Sequence, residues 1–275
     1  MISNPRLDWP TVWKYLFNEN VLEGIQYTLT LTVISMVVAI ILSVILAIMR
    51  KSINPVLRGV SWFFIWFFRG TPVYTQLIFW GLFAVLIPKI SLGIPFTSVK
   101  FWSIDSNVVV TAFNAAWIGL ALNEAAYLSE IVRAGLEAVD PGQTEAAKAL
   151  GMNRTLIMRR IVLPQAMRII IPPTGNETIG MLKTTSLVLA VPFTLDLQYA
   201  TNAIANRIYA PIPLLIVAAF WYLVMTSVLM IGQHFLEQYF GRGFNGKSSS
   251  KRLRRQAAIQ AAGTTHKNIA LEVEQ

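Results

Sequence analysis

The residues most suggestive of chemistry are G-R-G-F-N-G-K-S, Gly241 to Ser248. They satisfy the phosphate-loop pattern at each fixed position: Gly241, Gly246, Lys247 and Ser248. Such a loop holds phosphate with backbone N–H groups and a helix N-terminus, and it needs a buried strand before it and a helix after it. Here it follows a long apolar run, Ile208 to Leu236, and the polar exit residues Glu237 to Phe240. There is no companion acidic strand, and residues 249–275 leave no room for an ATPase core. The match is expected to be accidental, and no nucleotide site is expected in this chain.

A second group lies inside otherwise uncharged runs. Glu124, Glu130, Glu177 and Lys183 stand there, with Asn123, Asn176, Thr184, Thr185 and Ser186 beside them. Ionisable groups in apolar segments are costly and tend to face a cavity or a partner. Glu130 and Arg133 are spaced to pair on one helix face, which makes them a structural pair. Asn123, Glu124 and Glu177 could line a substrate path or bond between helices. Lys183 could neutralise a carboxylate or meet the carboxylate of a passing solute. Two carboxylates favour a substrate with a positive group, such as a basic amino acid, although Lys183 could cancel one of them.

The composition says what kind of segments hold these groups. Of 275 residues 55% are hydrophobic and only 13% charged, against about 25% charged in a soluble domain. The chain reads as an integral membrane protein. It has no cysteine, and its two histidines, His234 and His266, are far apart, so thiol catalysis and zinc or iron–sulfur sites are excluded and no metal is expected. The net charge of +9 would suggest nucleic acid in a soluble protein; here contact with the lipid bilayer accounts for it.

Five uncharged or nearly uncharged runs predict five transmembrane helices: Ile25–Met49, Gly70–Pro88, Asp105 to about Ala134, Arg168–Asp196 and Ile208–Leu236. No signal peptide is expected; Trp9, Trp13, Tyr15, Leu16 and Phe17 form an aromatic stretch suited to the membrane interface. Lys and Arg concentrate in the first connection (Arg50, Lys51, Arg58, Arg69), the third (Arg133, Lys148, Arg154, Arg159, Arg160, Arg168) and the tail. The positive-inside rule then puts the N-terminus outside and the C-terminus in the cytoplasm. Pro172-Pro173 followed by Gly175 predicts a bent or broken fourth span.

The third connection is a third candidate site. Asp140, Pro141 and Gln143 predict a capped helix start, Gly151 a helix end, and Asn153 the cap of a second helix running to Pro164. The first helix offers Ala146, Ala147, Ala149 and Leu150 with few bulky groups. It could insert into a groove on a partner or lie as an amphipathic helix on the membrane, and these residues leave both open.

Glu145-Ala146-Ala147, Leu150-Gly151 and Ile161-x-Leu163-Pro164 resemble the EAA motif of the membrane subunits of ABC importers. Phe68 to Pro72, Ala126 to Arg133 and Leu182 to Leu187 resemble the polar amino-acid uptake branch, and the similarity runs from about Gly24 to Phe244. The resemblance implies an all-α integral membrane protein of five transmembrane helices with a cytoplasmic coupling helix, the type I ABC importer permease fold. It implies a permease subunit that moves polar amino acids inward across the cell (cytoplasmic) membrane. The coupling helix would dock on a separate ATPase, which binds the ATP and Mg and carries out hydrolysis; this chain would hold no cofactor and no catalytic residue. An extracytoplasmic amino-acid-binding protein and a second permease subunit, like or unlike, would complete the assembly. The expected organisation is an external interfacial segment over 1–23, a transmembrane permease domain over 24–240 with the coupling segment at 136–166, and a basic cytoplasmic tail over 241–275. A self-contained secondary amino-acid transporter is the alternative, against which stands the lack of an internal repeat.

Overall fold

The structure is a computed structural model that describes residue 4, residues 7–93 and residues 100–241. It is helical, with one addition that the apolar pattern did not give. The expected external loop after Pro88 contains an antiparallel hairpin, β1 (Lys89–Gly93) and β2 (Lys100–Asp105).

The N-terminal stretch forms α1 (Trp9–Leu16), and α2 (Glu19–Arg50) starts ahead of the uncharged run because the Asn18 side chain accepts from the Asn20 amide at 3.1 Å. A helix cap offsets a donor that would otherwise lack a partner, so polar residues can open a span. The α1 segment is not a free interfacial helix. Trp221 Nε1 donates to the Leu16 carbonyl at 2.8 Å, and Phe17 meets Trp221 edge-on.

The second span departs most from expectation. Helix α3 (Pro55–Gly70) already forms within the stretch expected as a cytoplasmic connection, leaving only residues 51–54 between α2 and α3. It is followed by α4 (Val73–Gly81) and the short α5 (Phe83–Leu86). Arg69 therefore ends a helix instead of anchoring a loop. It sits over the Tyr127 ring, about 15 Å short of the end of the third span at Glu137. Bulky aromatic residues and isolated arginines made this stretch look like a boundary.

After α6 (Ser106–Val109), α7 (Ala112–Glu137) is capped by Thr111, whose hydroxyl accepts from the Asn114 amide. It packs along α2 through small residues: Ala115, Ala116, Ala121, Ala125 and Ala126 are buried, as are Ser35, Ala39 and Ser43 opposite. Lipid tails are as apolar as leucine, so helices in a bilayer gain by close approach, which small residues permit. Helices α8 (Pro141–Ala149) and α9 (Arg154–Ile157) follow, then one π turn (Met158–Val162), α10 (Leu163–Thr184) and a 3₁₀ segment (Thr185–Ala190). Helix α11 (Leu197–Ile208) packs back on α2, and α12 (Pro211–Gly241) closes the bundle. By length and composition α2 and α12 could each cross a membrane alone.

Two expectations about prolines are corrected. Pro164 does not end the second helix of the polar segment; it lies in the first turn of α10, where a missing N–H is tolerated, and the π turn before it absorbs the change of register. Pro172 and Pro173 do not break the fourth span, since α10 runs through both. Gln233 of α12 donates to the Pro172 carbonyl at 2.7 Å and lies against Gly175.

Close packing makes one glycine testable. A Cβ on Gly24 would lie 2.8 Å from the Leu197 Cα, a backbone atom that cannot step aside, whereas one on Gly59 meets nothing within 4 Å. Gly24→Ala is expected to lower stability by about 1–3 kcal/mol through overpacking. Gly59→Ala is expected to be neutral or slightly stabilising, as Ala is the better helix former. Thermal unfolding of the two purified variants in detergent checks this; equal midpoints would show that the α2–α11 contact is loose.

Candidate functional site

The polar groups of the fourth span fall on one face. Asn176, Glu177, Gly180, Lys183 and Thr184 are spaced so that successive turns place them one above another. Asn176 and Lys183 are exposed, and Glu177, Gly180 and Thr184 half-buried, while Ile179, Leu182 and Thr185 behind them are buried. A Cβ on Gly180 would meet only Glu177 Oε2, at 3.8 Å, so the face is open beside that carboxylate. Lys183 forms no ion pair among the described residues. The hydroxyls of Thr184 and Ser186 donate to the carbonyls of Gly180 and Lys183, which leaves their lone pairs as acceptors. The Thr185 hydroxyl is fully buried and donates to Leu182, so its role is in packing.

From α7 comes Glu124, only 7% exposed, with Oε1 unpartnered among the described residues. Glu124 and Glu177 lie within electrostatic range across the α7–α10 contact. Asn123 has a different task. Its Nδ2 donates to the Phe68 carbonyl at 3.0 Å and to Gln76 Oε1 at 3.1 Å. Of the two roles open to Asn123, this is the bond between helices.

That bond holds the break between α3 and α4. Thr71 is extended, as the residue before a proline tends to be, and Pro72 has no N–H to offer. The last carbonyls of α3 would be orphaned in an apolar setting. Gln76 Nε2 donates to Phe68 and Thr71, both at 3.0 Å, and the Thr71 hydroxyl donates to Phe67. Gln76 was not singled out in the sequence; a lone amide in the apolar run V-Y-T-Q-L-I-F-W was the available signal.

Glu130 and Arg133 form the spaced pair, with Arg133 Nη2 at 2.6 Å from Glu130 Oε2. Arg133 also bonds Glu137 at 2.7 Å, and Lys51 approaches Glu137 at 3.9 Å, so the pair belongs to a small network that ties α7 to the end of α2. Glu137 carries no signal in the sequence because it does not interrupt an apolar run, and Lys51 is read there only as a charge of the first connection.

The polar segment forms a compact corner. Asp140 accepts from the Gly142 amide at 2.8 Å, and Asn153 from the Leu156 amide at 2.9 Å. Helix α8 ends with Gly151 at φ +75°; the Gly151 amide donates to the Lys148 carbonyl and the Met152 amide to the Ala147 carbonyl. This is the αL helix stop for which glycine is favoured. No neighbour would touch a Cβ there, so conformation alone requires the glycine. Ala147 is buried, and α8 packs on α9 and the π turn. Glu145, Ala146 and Ala149 are exposed, and Leu150 is 82% exposed at the tip. Ile161 is half-buried, and Leu163 and Pro164 are exposed. Val139 fixes the approach to this corner by packing with Ala166 and Ile170. The phosphate-loop pattern lies outside the described residues, apart from Gly241.

The family model described as "binding-protein-dependent transport system inner membrane component" matches residues 39–242. The chain is 49% identical over 273 residues to the "arginine transport system permease protein ArgU" of Corynebacterium glutamicum, covering 99% of this chain and 84% of that protein. Its fold is similar to a solved chain described as "crystal structure of an amino acid ABC transporter with histidines": TM-score 0.66, 33% identity, 81% of this chain and 95% of the other. An inward-facing structure of the MetNI methionine ABC transporter shares the fold at a TM-score of 0.59 and 15% identity, over 80% of this chain and 96% of the other. With an open polar face on α10, an exposed helical corner below it and a family model matched from α2 to the end of α12, this chain belongs to the inner membrane components of binding-protein-dependent transport systems.

Proposed function

We propose that this chain is the permease subunit of an ABC importer that carries polar amino acids inward, with basic amino acids preferred. It is a transport subunit, and ATP hydrolysis belongs to separate ATPase subunits. The observation that carries the substrate preference is the α10 face. Glu177 and Lys183 are separated by about 9 Å of helix rise and stand at the two edges of that face, roughly 120° apart around the helix. A zwitterion with a cationic side chain matches that arrangement: its carboxylate meets Lys183, and its positive end meets Glu177 with Glu124 behind. The similarity to a relative named for arginine transport supports the same preference.

The remaining parts follow from the same geometry. Among the described residues we assign five membrane-crossing units: α2; α3 with α4 and α5; α7; α9 through the 3₁₀ segment; and α12. Arg69 no longer counts toward orientation, but Arg50 and Lys51 close α2 where Lys51 approaches Glu137 at the end of α7, and the basic residues from Lys148 to Arg168 follow from α8 onward. That end is cytoplasmic and the N-terminus is outside. An open polar face on a single bundle implies a second permease subunit opposite it, with an external amino-acid-binding protein above and ABC ATPase subunits docked on Glu145, Ala146, Leu150 and Gly151 below.

The charge argument is tested by uptake in vesicles containing the whole transporter. Glu177→Gln is expected to reduce arginine uptake about 10–100-fold, the worth of one charge-assisted hydrogen bond, and glutamine uptake much less. Glu124→Gln is expected to shift the same ratio by a smaller factor, and Lys183→Met to weaken both. Equal loss of arginine and glutamine in Glu177→Gln would remove the preference for a basic substrate.

Docking is tested separately. Glu145→Arg and Gly151→Val, the latter forcing a β-branched residue into the αL region, are expected to leave the chain in the membrane while uncoupling ATP hydrolysis from uptake. ATPase activity and uptake measured on the same vesicles decide it. Normal uptake by both variants would sink the docking role.

A further inference from the structure

On the flank of α10 away from its polar face lies an apolar groove of about 610 Å³ between α2, α7, the π turn and the end of α12. Val44 and Ile48 of α2, Val132 of α7, and Met158, Met167 and Ile171 along the rod line it. Its size is that of a small-ligand pocket, and its walls are almost wholly hydrocarbon. Nothing in the transport cycle described above uses it.

The residues next in sequence to two of the lining methionines are different in character. Arg159 follows Met158, Arg160 comes next, and Arg168 follows Met167; all three are exposed, and none is ion-paired among the described residues. Two acids stand near: Glu137, engaged by Arg133 and Lys51, and Glu237, which follows the lining residue Leu236 and accepts from Gln233 Nε2 at 2.9 Å. An apolar slot whose lining residues Met158 and Met167 are followed by exposed arginines without ion pairs among the described residues matches one chemistry: an acyl chain in the slot and an anionic headgroup beside it.

We propose that the groove seats an anionic phospholipid, with an acyl chain against Val44 and Ile171 and the phosphate among Arg159, Arg160 and Arg168. The proposal rests on the membrane orientation given above. The lipid would lie against the π turn that joins the docking corner to α10, in contact with the segment through which the ATPase acts. π turns inside helices recur at functional sites.

The test uses the full-length chain in nanodiscs of equal phosphatidylglycerol and phosphatidylcholine, released into mild detergent and weighed by native mass spectrometry. The wild type is expected to retain phosphatidylglycerol in preference to phosphatidylcholine. Each of Arg159→Gln, Arg160→Gln and Arg168→Gln is expected to lower that preference about fivefold, the worth of one basic residue near an anionic headgroup. Val44→Phe with Ile171→Phe fills the slot and is expected to abolish retention of both lipids. The three arginines are exposed, so their variants do not threaten folding. Unchanged preference in all three would overturn the proposal, as would full retention by the filled variant. If filling instead splits pairs of chains seen in the wild-type spectrum, the groove holds a second copy and the lipid is excluded. Failure to enter nanodiscs at all would count against the membrane reading itself, which separates the two outcomes.

Discussion

A single helical rod runs from the α8 corner to the polar face, and the rest of the structure is arranged to keep it whole. From Arg154 through the π turn and α10 to Ala190 the chain stays helical despite Pro164, Pro172 and Pro173. Each proline removes a backbone donor, and inside a bilayer no water replaces it. The π turn takes up the strain near Pro164, and Gln233 ties α12 to the proline turn by its bond to Pro172 and its seat on Gly175. Gly135 allows equally close approach on the other side, where a Cβ would run into Ile170. The rod is thus packed on both sides, by α7 and by α12, along the stretch that leads from the end of the α8 corner to Lys183.

The break between α3 and α4 is the converse case. There the chain is interrupted inside a span, and the carbonyls of Phe67, Phe68 and Thr71 are met by Thr71, Gln76 and Asn123. Satisfying those groups costs three polar side chains and fixes α7 against α3. It also explains why Asn123 and Glu124, adjacent in sequence, have different tasks. Asn123 turns toward the break and is consumed by it. Glu124 keeps an oxygen without a partner, which is a costly state to maintain unless something comes to meet it.

Much of this could be seen in the sequence, for identifiable reasons. Capping chemistry is local, so Asp140, Gly151 and Asn153 announced the corner, and the structure has each in the expected bond or conformation. Intramembrane charges stand out against apolar neighbours, so Glu124, Glu177 and Lys183 were found without knowing where they point. Beside the hairpin after Pro88 and the early start of α3, what the sequence hides is what a distant residue can do for a local defect. Nothing near Pro172 says that Gln233 will come to it, and nothing near Phe68 says that Gln76 and Asn123 will cap it. Charge counting also misled: Arg69 looked like a topological anchor because its pairing with the Tyr127 ring is invisible in one dimension.

These long-range repairs bear on why a subunit of this kind works as one of a pair. Helices α2 and α12 present apolar side chains such as Val33, Ile41, Leu223 and Ile231 outward, as a lipid-facing surface should. The α10 face does the opposite: it leaves a lysine and a carboxamide open on the outside of the bundle. In lipid that face would be expensive, and in water it would be ordinary. It becomes acceptable when a second bundle closes over it and the space between holds water and a charged solute. On the function proposed above, the residues that would meet substrate also favour the pairing of subunits, because the cost of exposing them to lipid is relieved only when the path is built.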